Sequence, residues 1–175
     1  MTAKPSDPER ILSIDPALRN TGYAIVEKAG KEIRLVTFGV IRNAPKLLPS
    51  GCLVAIREQL ADVIRQHGPT TCAIEATIYV QSFKTAIALG TARGACLIAA
   101  AECGLSIYEY APREVKNAAV GRGAADKQQV AFMIRSMLRL KETPPPDAAD
   151  AIAVGLAHFQ AMEANQAMQT ERRRI

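Results

Sequence analysis

At 175 residues, with 49% hydrophobic and 22% charged side chains, the chain reads as one globular domain long enough to bury a substantial core. It has no run of about 18 uninterrupted apolar residues and no apolar signal core near its start, which argues against a membrane span or secretion and for the cytoplasm. Cys52, Cys72, Cys96 and Cys103 have neither close pairing nor zinc-finger spacing, so reduced core thiols are expected, and the net charge of +5 is a weak pointer to a polyanionic partner.

Residues 1–9 are polar, carry Pro5 and Pro8 and read as a disordered extension. Arg10–Asp15 reads as a buried strand in which Ile11, Leu12 and Ile14 lead to a terminal acid. Thr21–Lys28 and Glu32–Arg42 are two further strands, joined through Ala29-Gly30-Lys31 into an antiparallel meander. A loop over 43–51, marked by Pro45, Pro49 and Gly51, precedes a helix over Cys52–Gln66 with apolar residues at 53, 56, 60, 63 and 64. Gly68-Pro69 stops it, and Thr71–Glu75 is a short buried strand that again ends at an acid.

A polar stretch then enters a long helix over Phe83–Cys103, rich in Ala and Gly, a composition that lets backbones approach closely. Ile107–Tyr110 is the last strand, Pro112–Val120 a short helix and Gly121–Ala125 a flexible basic loop. Asp126–Leu140 is amphipathic, with Val130, Met133, Ile134, Met137 and Leu138 at helical spacing. Pro144-Pro145-Pro146 punctuates before a final helix over 147–163, and the tail 164–175, ending in Arg172-Arg173-Arg174, reads as disordered. The expected domain, 10–163, is therefore α/β: a mixed five-stranded sheet, antiparallel meander plus parallel strands, flanked by helices.

Four acids stand out. Asp147 and Asp150 lie three apart on the final helix, so they project from one face, and an apolar run follows them. Asp15 and Glu75 each end a buried strand, where sites form in sheets of this kind. If the first and fourth strands are parallel neighbours, their ends bring Asp15 and Glu75 together, and the final helix can deliver Asp147 and Asp150 to the same point. Carboxylates so gathered repel one another unless divalent cations neutralise them, and oxygen-only ligands suit Mg²⁺ or Mn²⁺. Paired metals of this type hydrolyse phosphodiesters, one activating water and the other stabilising the leaving oxygen. The plainer alternatives are that Asp147 caps the final helix with Asp150 a favourable first-turn acid, that Asp15 simply starts a loop, and that Glu75 pairs with a Lys or Arg.

The positive charge is uneven. From Arg113 to Lys141 there are seven Lys/Arg and two acids, while the remainder balances at fifteen against fifteen. That suits nucleic-acid contact or a solvated charged face about equally. His158 reads as a packed or surface histidine, and the terminal arginines as a solubilising tail.

The same stretches resemble the RuvC family of Holliday junction resolvases over nearly the whole chain. The similarity is carried by Ile11-Leu12-Ser13-Ile14-Asp15-Pro16 with Thr21-Gly22-Tyr23-Ala24, by Ala73-Ile74-Glu75, and by Gly90-Thr91-Ala92-Arg93-Gly94. It continues through Tyr110-Ala111-Pro112-Arg113-Glu114-Val115-Lys116, Val120-Gly121-Arg122-Gly123 up to Asp126-Lys127, and Asp147-Ala148-Ala149-Asp150-Ala151. The resemblance implies an RNase H-like fold, a homodimer, and Mg²⁺-dependent nicking of opposed strands at a four-way DNA junction, with two ions per active site and Mn²⁺ able to substitute. It places Asp15, Glu75, Asp147 and Asp150 on the family's catalytic, metal-holding acids. Lys116 and Lys127 fall on its basic DNA-contacting positions, with Arg113 and Arg122 nearby as further candidates. A branch-migration complex of the RuvA–RuvB type is a candidate partner.

Two departures carry expectations of their own. Ala17 stands where the family usually has glycine, which predicts strain if the turn needs a positive φ. Ile78 stands where many members have a stacking Phe, so Tyr79 is the candidate replacement. Rival readings are another RNase H-like nuclease cutting flaps or hybrids, an architectural junction binder, and an actin-like phosphotransferase. The last lacks the glycine-rich phosphate turn after Asp15.

Overall fold

β1 (Glu9–Asp15), β2 (Asn20–Ala29) and β3 (Glu32–Arg42) form the antiparallel meander, while β4 (Thr71–Glu75) pairs parallel to β1 and β5 (Ser106–Tyr110) parallel to β4. The five strands run in the order β3-β2-β1-β4-β5 in this computed structural model, which describes residues 8–77, 82–121 and 126–175. Because β1, β3, β4 and β5 point the same way, Asp15, Arg42, Glu75 and Tyr110 all finish at one end of the sheet, where β2 begins.

The pleat sends successive side chains of β1 to opposite faces. Ile11 joins a core with Ala24, Val26 and Ala73, while Leu12 and Ile14 join a second core with Ile25, Cys72 and Ile74. α1 (Pro49–His67) and α2 (Phe83–Glu102) cover the second core. α3 (Pro112–Val120), α4 (Lys127–Met137) and α5 (Pro146–Met168) cover the first. β1 is thus buried on both sides, which is why it reads as a nearly continuous apolar run.

Two glycines let α5 sit unusually close to the sheet. A Cβ at Gly155 would come within 2.9 Å of the Val26 side chain and 3.0 Å of Ser13 Oγ. A Cβ at Gly22 would collide with the Asp147 carbonyl, meeting its carbon at 2.6 Å. Gly22 is the cross-strand partner of Asp15, so this contact fixes the first turn of α5 above the end of β1.

Some boundaries differ from the sequence reading. α1 begins at Pro49, three residues early, because proline suits the first helical position. α4 stops at Met137 rather than Leu140, and Arg139 turns the chain out with φ 51°. α5 continues five residues beyond 163, to Met168. The segment after it, read as disordered, is docked: Ile175 N donates to Ile107 O at 3.1 Å, alongside the edge strand β5. Arg172 donates to both Glu114 oxygens at 3.0 Å and to Glu109 O at 2.7 Å, and its guanidinium lies 4.1 Å from the Tyr110 ring centroid. These contacts join residues 58 to 68 apart, out of reach of any local pattern.

Ala17 is not among the described residues with positive φ, which besides glycines are Arg139 and Gln169. Its turn is closed instead by Thr21, whose hydroxyl donates to Ala17 O at 2.5 Å. The expected strain is absent because the loop takes a conformation alanine tolerates.

Candidate active site

The β1–β4 ladder ends on the pair Ile14↔Ile74, so the next residue on each strand is Asp15 and Glu75. Adjacent strands lie about 5 Å apart, which sets these two acids side by side at the carboxyl end of the sheet. Strand geometry alone brings them together.

Above that point opens a cavity of about 390 Å³. Its lining includes Asp15, Glu75, Asp126, Asp150 and Lys116, with Pro112, Val115, Val130 and Ala153 as apolar wall. The helices that meet here each have a local reason to start where they do. α3 starts at Pro112, and the Glu114 side chain caps it by accepting from Ala111 N at 2.8 Å. α4 starts behind a capping box in which Asp126 accepts from Gln129 N at 2.8 Å and Gln129 accepts from Asp126 N at 3.2 Å. α5 starts at Pro146, with Pro145 at the cap position and no side-chain cap. Asp147 therefore does not cap α5; it is a first-turn acid that complements the helix dipole.

Of the four acids singled out in the sequence, three line the cavity, and Asp147 is not among the lining residues. Asp147 sits one turn before Asp150, its carbonyl against Gly22. Lys116 lines the cavity, whereas Arg113 is on α3 outside that lining. Lys127 is the first residue of α4. Tyr79, Ile78 and Arg122 lie outside the described residues. Asp126 is the lining acid that sequence reasoning missed, although its signal was there: Asp followed three residues later by Gln is a helix-start signature. What the signature could not show is that this cap faces the cavity.

The donor chemistry fits a hard divalent cation: every acidic group lining the cavity offers oxygen alone, and no histidine or cysteine among the described residues takes part. Among the described residues no group of three or more acids, histidines or cysteines is drawn tightly enough to enclose an ion. The thiols are spectators. Cys72 is fully buried and burial pushes it up to about 12, and burial raises Cys96 as well. His158 is a packed core residue, its Nδ1 2.8 Å from the Tyr110 hydroxyl and its ring stacked edge-on to Phe159.

A family model described as crossover junction endodeoxyribonuclease RuvC matches residues 11–158. A protein of that name from Akkermansia muciniphila is 50% identical over 166 residues, covering 95% of this chain and 99% of its relative. One from Bradyrhizobium diazoefficiens is 42% identical over 159 residues, covering 90% and 91%. The solved structure of Thermus thermophilus RuvC in complex with Holliday junction substrate superposes with a TM-score of 0.83 at 31% identity, covering 95% of this chain and 99% of that one.

Proposed function

The chain belongs to the RuvC family of crossover junction endodeoxyribonucleases, and on that premise we propose that it resolves Holliday junctions by nicking two opposed strands with Mg²⁺, leaving 5′-phosphate and 3′-hydroxyl ends. The observation that carries the assignment of the cutting centre is the cavity that Asp15, Glu75, Asp150 and Lys116 share.

In this reading Asp15, Glu75 and Asp150 hold the ions, with Asp147 completing the set from the preceding turn of α5. Bound there, divalent cations supply an activated water and stabilise the leaving oxygen. Lys116 faces the same space and answers the charge that builds on the phosphate as it is attacked. The apolar wall of Val115, Val130 and Ala153 lowers the local dielectric, so each of these charges acts more strongly than it would in water. Lys127, at the start of α4, is the second basic residue assigned to the DNA, with Arg113, Arg122 and Tyr79 as further candidate contacts.

The acting species is a homodimer, because two sites related by a two-fold axis match a junction's approximate symmetry. α2 supplies a suitable face: Phe83, Ile87, Gly90, Thr91 and Ile98 form an exposed, uncharged stripe along it. The same helix is long and apolar enough to cross a membrane by length and composition, but it packs against α1 and carries Lys84 and Arg93. The cytoplasm is the expected compartment, and a branch-migration complex of the RuvA–RuvB type is the expected companion.

The test is a synthetic mobile junction incubated with the protein. With Mg²⁺ the expected result is paired nicks on opposed strands; with EDTA, binding without nicking. Preferential cutting of flaps or RNA–DNA hybrids would move the activity elsewhere among RNase H-like nucleases, and no nicking with either Mg²⁺ or Mn²⁺ would leave only a junction-binding protein.

A further inference from the structure

The end of the sheet that carries the acids has a second concavity on its β3 side. It measures about 510 Å³ and is lined by Arg19, Asn20, Arg42, Asn43, Ala44 and Pro45. Two guanidiniums and two amides belong to that lining, and no carboxylate among the described residues does. Arg42 is the exposed last residue of β3, directly opposite Asn20 on β2. It joins no ion pair among the described residues, unlike Arg10, Arg34, Arg57, Arg65, Arg93 and Arg172.

The groove is built rather than incidental. Arg19 Nη1 donates to Ala44 O at 2.6 Å and to Leu47 O at 3.0 Å, tying the turn after β1 to the loop after β3. Asn43 is 8% exposed; its amide nitrogen donates to Leu18 O at 2.8 Å and Cys52 O at 3.3 Å, and its backbone N donates to Arg19 O at 2.9 Å. Such cross-linking holds the frame of the groove on either side of Arg42 before any ligand arrives, which removes part of the ordering cost from binding.

The position gives the groove its ligand. β3 lies two strands from β1, about 10 Å by the usual spacing. A DNA strand rises about 3.4 Å per nucleotide, so a strand with its scissile phosphate over Asp15 carries others within that reach. We propose that this groove seats a backbone phosphate of the strand being cut, within about three nucleotides of the scissile one. Arg42 supplies the contact, and Arg19 and Asn43 hold the frame. The assignment rests on reading the Asp15 cavity as the cutting centre.

The decisive measurement is junction affinity in EDTA across a salt series of about 50–200 mM, for the wild type, Arg42→Gln, Arg42→Lys and the charge control Arg65→Gln on the far end of α1. Neutralising one phosphate fewer lowers the slope of log K against log salt by about 1. That drop is expected in Arg42→Gln, with recovery in Arg42→Lys and none of it in Arg65→Gln. Ethylation interference adds position: a modified phosphate within about three nucleotides of the cut weakens the wild type and leaves Arg42→Gln indifferent. An unchanged slope in Arg42→Gln, or an equal drop in Arg65→Gln, would overturn the proposal. If instead the wild type itself fails to nick the junction with Mg²⁺, the reading of the cavity is what has failed.

Discussion

Glu27 and Asp15 stand on neighbouring strands of one sheet, and their surroundings differ. Glu27 is 1% exposed, and both of its oxygens are taken by arginines from the flanking strands: Arg10 Nε at 2.9 Å and Arg34 Nε at 2.5 Å. The hydrogen bond from Arg10 chiefly, with help from Arg34, holds its carboxyl below the usual range against the opposing effect of burial. Asp15 shares a cavity with three other carboxylates and one lysine. An acid gripped by cations from the adjoining strands is a fastening between those strands. Acids gathered with other acids around an opening suit an added cation and the chemistry it brings.

Four substitutions probe that contrast, from the largest expected effect to the smallest. Asp15→Asn keeps the shape and removes the charge, so single-turnover nicking of a junction should fall by about 10³-fold or more while the melting temperature holds or rises. Wild-type cleavage in that variant would place the metal elsewhere. Gly22→Ala drives a methyl into the Asp147 carbonyl. It should cost about 2–3 kcal/mol in urea unfolding and also slow nicking, since α5 carries Asp150 and is pushed off its seat. A loss of stability with normal nicking would show that the acids do not depend on that close contact.

Glu27→Gln is the converse of Asp15→Asn. It leaves two guanidiniums facing an amide and should cost about 2 kcal/mol, less than a fully buried pair because both arginines are partly exposed. Nicking at low temperature should survive. The pH dependence follows from the depressed carboxyl: Glu27 contributes its stability above the unfolded value of 4.5 and loses it as the pH falls through its lower folded value. Acid unfolding below about pH 4.5 should therefore be shallower in the variant, and an unchanged profile would deny Glu27 the fastening role. The smallest effect is Arg172→Ala, at most about 1 kcal/mol for a partly exposed ion pair and ring contact. Its readout is proteolysis: the segment after Met168 should become cleavable, while a protected tail would show that Ile175 and Arg174 suffice to dock it.

Much of the fold is legible in the sequence because its signals are local. Apolar runs, helical spacing and Gly/Pro punctuation place every described strand and helix, with ends within three residues except at the end of α5, and Gly68 and Pro112 mark ends because backbone conformation is chosen residue by residue. Asp15 and Glu75 stand out as strand-terminal acids, and their adjacency follows once β1 and β4 pair in parallel. The tail misleads because polar composition looks the same in a disordered segment and in one pinned by Arg172 to Glu114.

The sequence by itself determined the elements, the acids that end the strands and the family to which they belong, since each is written in neighbouring residues. Only the tertiary structure decided that the cap residue Asp126 faces the cavity, that Gly22 seats α5, that Glu27 is clasped by two strands, and that Arg19 and Arg42 share a groove. These contacts join residues far apart in the chain, and no local periodicity records which side chains the closing sheet will bring together.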